Sequence, residues 1–423
     1  MAAEPIPALR AIEMVPIRHD GRDLVVLRDP QGIAAEPLIV SLSAVGVLRL
    51  FDGEHTLEEI QLAITQATGQ IVPADELRGL VARLDRLGYL DSLAYLERRG
   101  ELSLAYREAP QRAAQFAGQA YPAEPGALRV ELNALYDRPG GPGRPDAPGR
   151  LPRGLVAPHI DPQRGGAVYA QAYRHLWGTT PRRVVILGIL HAGGSQPFVL
   201  TTKDFATPLG VAPTEAALVA ELTSHCDWDP LADEFLHQSE HSIEFQVLLA
   251  QHALSCGGER PVPPETHFLP ILCAFPWQWF APNGQETVAG EALSTGRQRV
   301  DRFLEALATL LANDRQEQTI IAGVDFAHVG RRFGDPEPLT DARAADVRDQ
   351  DRATLERLAA GDRAGFVAET VGERDARRIC GFSALYALLG LLPGMSGRRL
   401  AYDQSRDTEQ GALVSFAALR FPG

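Results

Sequence analysis

Lysine is nearly absent from this chain, and basic residues as a class are outnumbered by acidic ones. Lys203 is the only lysine among 423 residues, and lysine plus arginine total 41 against 54 aspartates and glutamates, a net charge of −13. Binding to nucleic acid without regard to sequence requires a basic face, so the charge balance argues against that function. The fractions of hydrophobic residues (45%) and charged residues (22%) are those of an ordinary globular protein.

Cysteines and long apolar runs are also few. The four cysteines show no CxxC spacing, and the longest apolar stretch, around residues 384–392, is too short to span a bilayer. The first residues lack the basic and apolar regions of a secretory signal. These absences predict a protein of the reducing cytoplasm, with free thiols and no membrane partner.

Residues 1–100 have the pattern of a small α+β module. The predicted elements are, in order, strands at 23–29 and 37–40 and helices that begin at Ser43, Thr56 and Pro73. Thr56 and Glu59 match the sequence pattern of a capping box, and the third helix is expected to end at Gly88. A hairpin with three short helices predicts a winged-helix arrangement. Acidic residues outnumber arginine in this region, so DNA is not the expected partner.

An Arg/Glu-rich connector near residues 97–113 separates this module from a second domain, residues 114–423. Short β-branched strands alternate there with amphipathic helices, after a Pro/Gly loop at 138–153. Alternation of this kind predicts an α/β sandwich on a mostly parallel or mixed central sheet.

Three predicted strands of the second domain lead into polar side chains. They are residues 154–158, followed by His159; residues 183–190, followed by His191; and residues 319–324, followed by Asp325 and His328. Open α/β sheets place ligands at the carboxyl ends of their strands, so these side chains predict a shared metal or catalytic site. For Asp325 and His328 taken alone, an N-capping aspartate and a surface histidine are the alternative.

The first module resembles a known family of small domains. The segments LSAVGVLRLFDGEHTLEEI and LRGLVARLDRLGYL are similar to those of PqqD-like winged-helix domains. That resemblance implies binding of a peptide, which adds as a strand to the exposed edge of the sheet. A module that only packs on its neighbour is the alternative.

Eight segments of the second domain occur in the order typical of the Memo family, whose bacterial branch is called AmmeMemoRadiSam system protein B. They are FAGQAYPAEPGAL, APHID, VVILGILH, FATPLG, EHSIEFQVLL, FLPIL, VDFAHVG and CGFSALYALL. The resemblance covers residues 116–423. It implies a fold similar to that of the class III extradiol dioxygenases, which are non-heme iron(II) enzymes, and a radical-SAM partner system.

The resemblance also implies a set of metal ligands. These are His159, His191 and Cys380, with Asp325 and His328 lining the same pocket. Two imidazoles and one anionic donor suit several metals. Iron or copper is favoured here, and zinc also fits this donor set.

Two further side chains of the pocket are expected to act through their helices. Cys380 opens an apolar helical segment, where the helix dipole and nearby Arg377 and Arg378 are expected to lower the pKa of its thiol; an inert buried cysteine is the alternative. His241 and Glu244 lie on one face of a helical turn, so His241 is a candidate acid or base near the metal. A capping and structural role for this helix start is the alternative.

Three classes of function fit these features. The first is a metal-dependent redox or oxygenase-like enzyme that acts on a peptide or a small molecule, with catalytic roles for Asp325, His328 and His241. The second is a non-catalytic protein that handles metal or binds a partner through residues 1–100. The third is a zinc hydrolase that uses metal-bound water.

Overall fold

A computed structural model describes residues 4–69, 71–281, 290–312, 317–407 and 411–423. The chain divides into two units, Met1–Ala109 and Pro110–Gly423. In the described parts of the chain, no helix has both the length and the apolar character needed to cross a membrane. The four cysteines are free thiols.

The first unit is built on a three-stranded antiparallel sheet followed by helices. Its elements are β1 (Glu13–His19), β2 (Arg22–Arg28), β3 (Leu38–Ser41), α1 (Leu42–Leu48), α2 (Leu57–Thr68), α3 (Ala74–Leu87) and α4 (Leu93–Glu108). Asp20 and Gly21 connect β1 to β2 with φ values of 48° and 74°, as a type I′ hairpin turn requires. The sheet order is β1-β2-β3.

Local signals position the helices of the first unit. The capping box is present, because the Thr56 side chain accepts from the Glu59 backbone nitrogen while the Glu59 carboxylate accepts from the Thr56 nitrogen. Gly88 ends α3, as expected, with a left-handed φ of 81°.

The boundary between the units falls within the connector expected near residues 97–113, but most of that segment is helical because α4 continues to Glu108. The Ser92 side chain starts that helix by accepting from the Tyr95 nitrogen.

The second unit is built on a mixed sheet in the order β12-β14-β5-β11-β6-β10-β7, with β13 paired to β14. The parallel strands are β5 (Gly154–Ala157), β6 (Arg183–Ile189), β10 (His267–Cys273) and β11 (Gln318–Gly323). The antiparallel pairings involve β7 (Phe198–Leu200), β12 (His328–Gly330), β13 (Arg398–Asp407) and β14 (Ala412–Phe421). β7 pairs antiparallel with β10, and β14 pairs antiparallel with β5, β12 and β13. A small separate sheet contains β4 (Gln111–Arg112), β8 (Asp204–Thr207) and β9 (Gly210–Ala212).

Helices cover both faces of this sheet, and the predicted α/β sandwich with a mixed sheet is confirmed. One face carries α5 (Pro125–Asp137), α6 (Pro162–Tyr173) and α8 (His241–Leu254). The other carries α7 (Ala216–Ser224), α9 (Gly290–Leu310), α11 (Arg363–Gly372) and α12 (Phe382–Leu391), while α10 (Asp341–Ala359) contacts β13 and β14. Because both faces are covered, every residue of β5, β6 and β11 is buried, as expected for parallel strands.

Candidate metal centre

The centre lies at the carboxyl edge of three neighbouring parallel strands, β5, β11 and β6. Their register places Gly323 beside Ala157 and Ala322 beside Leu187, so the three strands finish at nearly the same level. The next polar residues along these strands are His159, Asp325 and His191. The structure therefore brings together the side chains that the strand ends indicated.

His159 forms the buried floor of the centre, with 2% of its surface exposed. Its Nδ1 lies 3.0 Å from the Gly323 carbonyl oxygen. Because a carbonyl can only accept, Nδ1 carries the proton and Nε2 is left with its lone pair. The Asp325 carboxylate accepts from the His159 backbone nitrogen at 3.0 Å. Burial, together with the neighbouring His191 and His241 rings, lowers the pKa of His159 well below its usual range, so its neutral, metal-binding form is favoured.

His191 is oriented by Glu240, which comes directly before α8. The Glu240 carboxylate accepts from the backbone nitrogen of His191 at 3.0 Å and from its Nδ1 at 3.1 Å. It also accepts from the Ser242 nitrogen and so caps the helix. Although burial opposes ionisation of Glu240, the His191 and His241 imidazoles hold the pKa of its carboxyl well below its usual range. The sequence offered a capping role for this helix start as an alternative, and Glu240 fills it; its contact with His191 was missed, and the available signal was its position as the residue before a helix that begins with histidine.

Cys380 reaches the centre from the segment that precedes α12. Its Sγ lies 3.4 Å from His159 Nε2 and 3.5 Å from the Asp325 carbonyl oxygen. Burial raises the pKa of the thiol, against the opposing effect of His191. The expected lowering by two arginines is wrong, because Arg377 pairs with Asp351 at 2.7 Å and Arg378 pairs with Asp335. An anionic sulfur would therefore depend on a bound metal.

The three donor atoms of His159, His191 and Cys380 lie within 4.8 Å of one another. Tetrahedral bonds of about 2.1 Å to nitrogen and about 2.3 Å to sulfur would separate such donors by roughly 3.6 Å, close to the 3.4 Å between Cys380 Sγ and His159 Nε2. Both histidines use Nδ1 for a protein acceptor, which is the usual arrangement behind a metal-binding Nε2. The donor set fits a single metal ion.

A second group, His191, Glu240 and His241, also has donor atoms within 4.8 Å. The Glu240 oxygens already accept from His191 and Ser242, and one of them lies 3.3 Å from His241 Nδ1. This carboxylate orients two imidazoles and caps a helix. The first group therefore fits a metal better.

His241 stacks against His191 and meets the His159 ring edge-on. Its ring centroid lies 4.8 Å from that of His191, nearly parallel, and 5.2 Å from that of His159. Glu244, expected on the same helical face, contributes nothing here. It is fully buried, pairs with Arg112 and accepts from Tyr121. Every residue of α8 from Ser242 onward is buried. Helical spacing alone therefore could not indicate which segment packs against each face of the helix.

Asp325 and His328 border the three candidate donors. Asp325 Oδ2 lies 3.6 Å from His159 Nε2, and burial raises the pKa of its carboxyl to about 7. His328 begins β12 and places its Nδ1 3.1 Å from the Phe326 carbonyl oxygen; burial lowers its pKa to about 4. The alternative reading of an N-capping aspartate is wrong, because Asp325 is buried and bonds to His159.

The fold and this cluster define an α/β protein with a candidate His/His/Cys metal centre. The family model described as "Memo-like protein" matches residues 112–280 and 286–420, and the chain belongs to the Memo family, whose fold is of the class III extradiol dioxygenase type. The first unit lies outside the matched residues.

Three relatives described as MEMO1 family proteins illustrate the likeness. The chain is 27% identical to one from Aquifex aeolicus over 94% of this chain and 96% of the relative. It is 29% identical to one from Thermus thermophilus over 82% and 93%. It is 30% identical to one from Methanopyrus kandleri over 74% of this chain and 99% of that relative.

Proposed function

We propose that this chain is a metal-dependent redox or oxygenase-like enzyme in which His159, His191 and Cys380 hold iron or copper. The observation that carries the proposal is the convergence of three donor atoms, two of them on imidazoles whose Nδ1 already has a protein partner. Such a metal would supply a Lewis acid and an electron carrier beside the substrate.

Exposure separates the floor of the centre from its open side. The side chains of His159 and Asp325 are each 3% exposed, whereas those of His191 and His241 are 29% and 31% exposed. A substrate would therefore approach past His191 and His241. His241 is the group best positioned to accept or donate a proton there.

Asp325 and His328 act in this proposal from the buried side. Asp325 fixes the His159 backbone by accepting its N–H, and its second oxygen lies at the ligand group. His328 is held by the Phe326 carbonyl oxygen through Nδ1, which keeps its ring in one orientation. Both residues orient the substrate and hold protons near the ligands.

The proposed substrate class includes peptides, because the first unit offers an edge on which a peptide could add as a strand. β3 pairs only with β2 among the described strands, and Ile39 on β3 is 55% exposed. An apolar side chain on an unpaired edge suits strand addition. A radical-SAM protein is the proposed partner that supplies or modifies such a peptide, as the resemblance to AmmeMemoRadiSam systems implies.

Metal analysis after anaerobic purification tests the proposal. We expect about one iron or copper per chain in the wild type and strong loss in a His159→Ala/Cys380→Ala double variant. Cys226→Ser is the matched control, because that thiol lies just after the end of α7 and bonds the Leu222 carbonyl oxygen. Metal content that is unchanged in the double variant contradicts the proposed ligands. Zinc at full occupancy, with hydrolysis of esters or amides, would instead establish the hydrolase alternative.

A further inference from the structure

A second concave site lies at the opposite edge of the sheet from the metal centre. The cavity, of about 430 Å³, is formed where β5 begins, β14 ends and the Pro/Gly loop passes the end of α6. Its polar lining consists of Arg150, Gln171, Arg174, His175, Arg398 and Arg420. We call the group formed by its four arginines and His175 the arginine pocket. Its volume lies in the range of small-molecule sites.

The charge of the arginine pocket is unusual for this chain. No carboxylate lines the cavity, although the chain carries a net charge of −13. Within the described ranges none of the four arginines forms an ion pair, whereas Arg112, Arg183 and Arg377 each pair with a carboxylate. Guanidinium groups gathered without counter-charge repel one another.

Two of these arginines are direct cross-strand neighbours. Arg398 on β13 is the register partner of Arg420 on β14, and like charges directly opposite each other destabilise an antiparallel pair. Arg420 also has a buried Nε with no hydrogen-bond partner, and a buried donor without an acceptor costs about 1–3 kcal/mol. An anion between the two guanidiniums would remove both costs.

The pKa of His175 reflects the same positive environment. Burial first, and then Arg420, Arg174 and Arg398, lower the pKa of His175 to about 4. The imidazole is therefore neutral at physiological pH and available as a hydrogen-bonding group beside the arginines. Arg174 donates from NH1 to the Pro142 carbonyl oxygen at 3.3 Å, so the Pro/Gly loop is tied to the rim.

We propose that the arginine pocket binds a small molecule through a phosphate or polyphosphate group. Arginine forks that converge from β13, β14, α6 and the loop match the several oxygens of a phosphate group, which guanidinium binds in bidentate fashion. A nucleic acid is a poor fit, since the acidic chain as a whole would repel a long polyanion. The site shares no residue with the metal centre.

Calorimetric titration of the full-length chain with inorganic pyrophosphate, at low salt and without added metal, tests this assignment. The wild type is expected to bind saturably, and an Arg398→Gln/Arg420→Gln variant at least tenfold more weakly. Arg399→Gln is the matched control, because Arg399 is the next residue on the same strand and does not line the cavity. Equal affinity in the double variant, or an equal loss in the control, overturns the proposal.

Three further measurements test whether the bound group is a phosphate and whether it binds in the arginine pocket. Inorganic phosphate and citrate separate phosphate recognition from general anion binding, and citrate that binds as tightly as pyrophosphate overturns the phosphate assignment. A Cys380→Ser chain must retain pyrophosphate binding, since loss there would relocate the ligand to the metal centre. Pyrophosphate must also raise the melting temperature of the wild type but not of the double variant. If the double variant folds poorly, Arg150→Gln in the loop replaces it, with the same tenfold expectation.

Discussion

Glu240 accepts hydrogen bonds from both the backbone nitrogen and the Nδ1 of His191, at 3.0 and 3.1 Å. One carboxylate thus fixes the position of the chain and the orientation of the ring at the same time. It also caps α8, so the His191 imidazole and the helix that carries His241 are held by a single side chain.

The first prediction concerns this carboxylate. Glu240→Gln should weaken metal binding by about 10- to 100-fold, because an amide neither stabilises the His191 N–H as an anion does nor enforces the ring orientation. A competition titration with a chromophoric chelator measures the affinity. Glu234→Gln serves as control, since Glu234 accepts from Thr201 and Thr202 instead. Unchanged affinity in Glu240→Gln would contradict the role of this carboxylate in holding His191 for metal binding.

The second prediction concerns the sulfur donor. Cobalt(II) bound to the wild type should give a near-ultraviolet sulfur-to-metal charge-transfer band, and Cys380→Ser should abolish it because a hydroxyl replaces the thiolate. Cys226→Ser should keep the band. A band that survives in Cys380→Ser would assign the sulfur contact to another cysteine.

The third prediction concerns the buried ion pair of Arg112 with Glu244, both of which have side chains with no solvent exposure. Glu244→Ala should lower the free energy of unfolding by about 3–5 kcal/mol, because it leaves a buried guanidinium without its counter-charge. It also removes the acceptor of the Tyr121 hydroxyl and of two backbone nitrogens. Urea denaturation measures the change, and Glu221→Ala on the exposed side of α7 should alter it by less than about 0.5 kcal/mol.

The fourth prediction concerns pH and His252, which is buried on α8. Burial lowers its pKa to about 4 in the folded chain, whereas an unfolded histidine titrates near 6.5. The unfolded chain therefore binds the proton more tightly, and this residue's contribution to stability is complete above pH 6.5 and is lost as pH falls towards 4. The loss should amount to about 3 kcal/mol by linkage.

Denaturation at a series of pH values tests the His252 prediction. His252→Gln should show a correspondingly smaller loss of unfolding free energy between pH 6.5 and 4. His225→Gln, at an exposed position after α7, should follow the wild-type slope. Parallel slopes for all three chains would show that another group governs the pH dependence.

The parallel strands and the site residues that follow them could be predicted from the sequence. Each is marked by an apolar run and a polar residue that lie within a few positions of each other. The run ending at Gly323 is apolar and β-branched, and Asp325 follows where the sheet ends. The N-capping residues Thr56 and Ser92 are marked by equally local sequence signals, although the sequence analysis identified only Thr56. A side-chain acceptor three residues before its donor is visible in sequence without knowledge of the fold.

Contacts between distant segments could not be predicted in the same way. β14 inserts between β5 and β12, and no nearby residue in the sequence indicates that pairing. Glu240 lies 49 residues from His191, and Glu244 lies 132 residues from Arg112. Helical periodicity placed Glu244 beside His241, but in a helix buried on all sides the partner is decided by whichever segment packs there.

His159 and Cys380 lie 221 positions apart in the sequence, and this separation determines how far apart in time they are synthesised. At ribosomal rates of about 5–20 residues per second, the two donors leave the ribosome on the order of 10–40 s apart. During that interval His159 has neither its sulfur neighbour nor β14, the strand that pairs beside its own. The nascent chain must therefore carry an incomplete set of candidate donors, and the three side chains can meet only when synthesis of the chain is nearly complete.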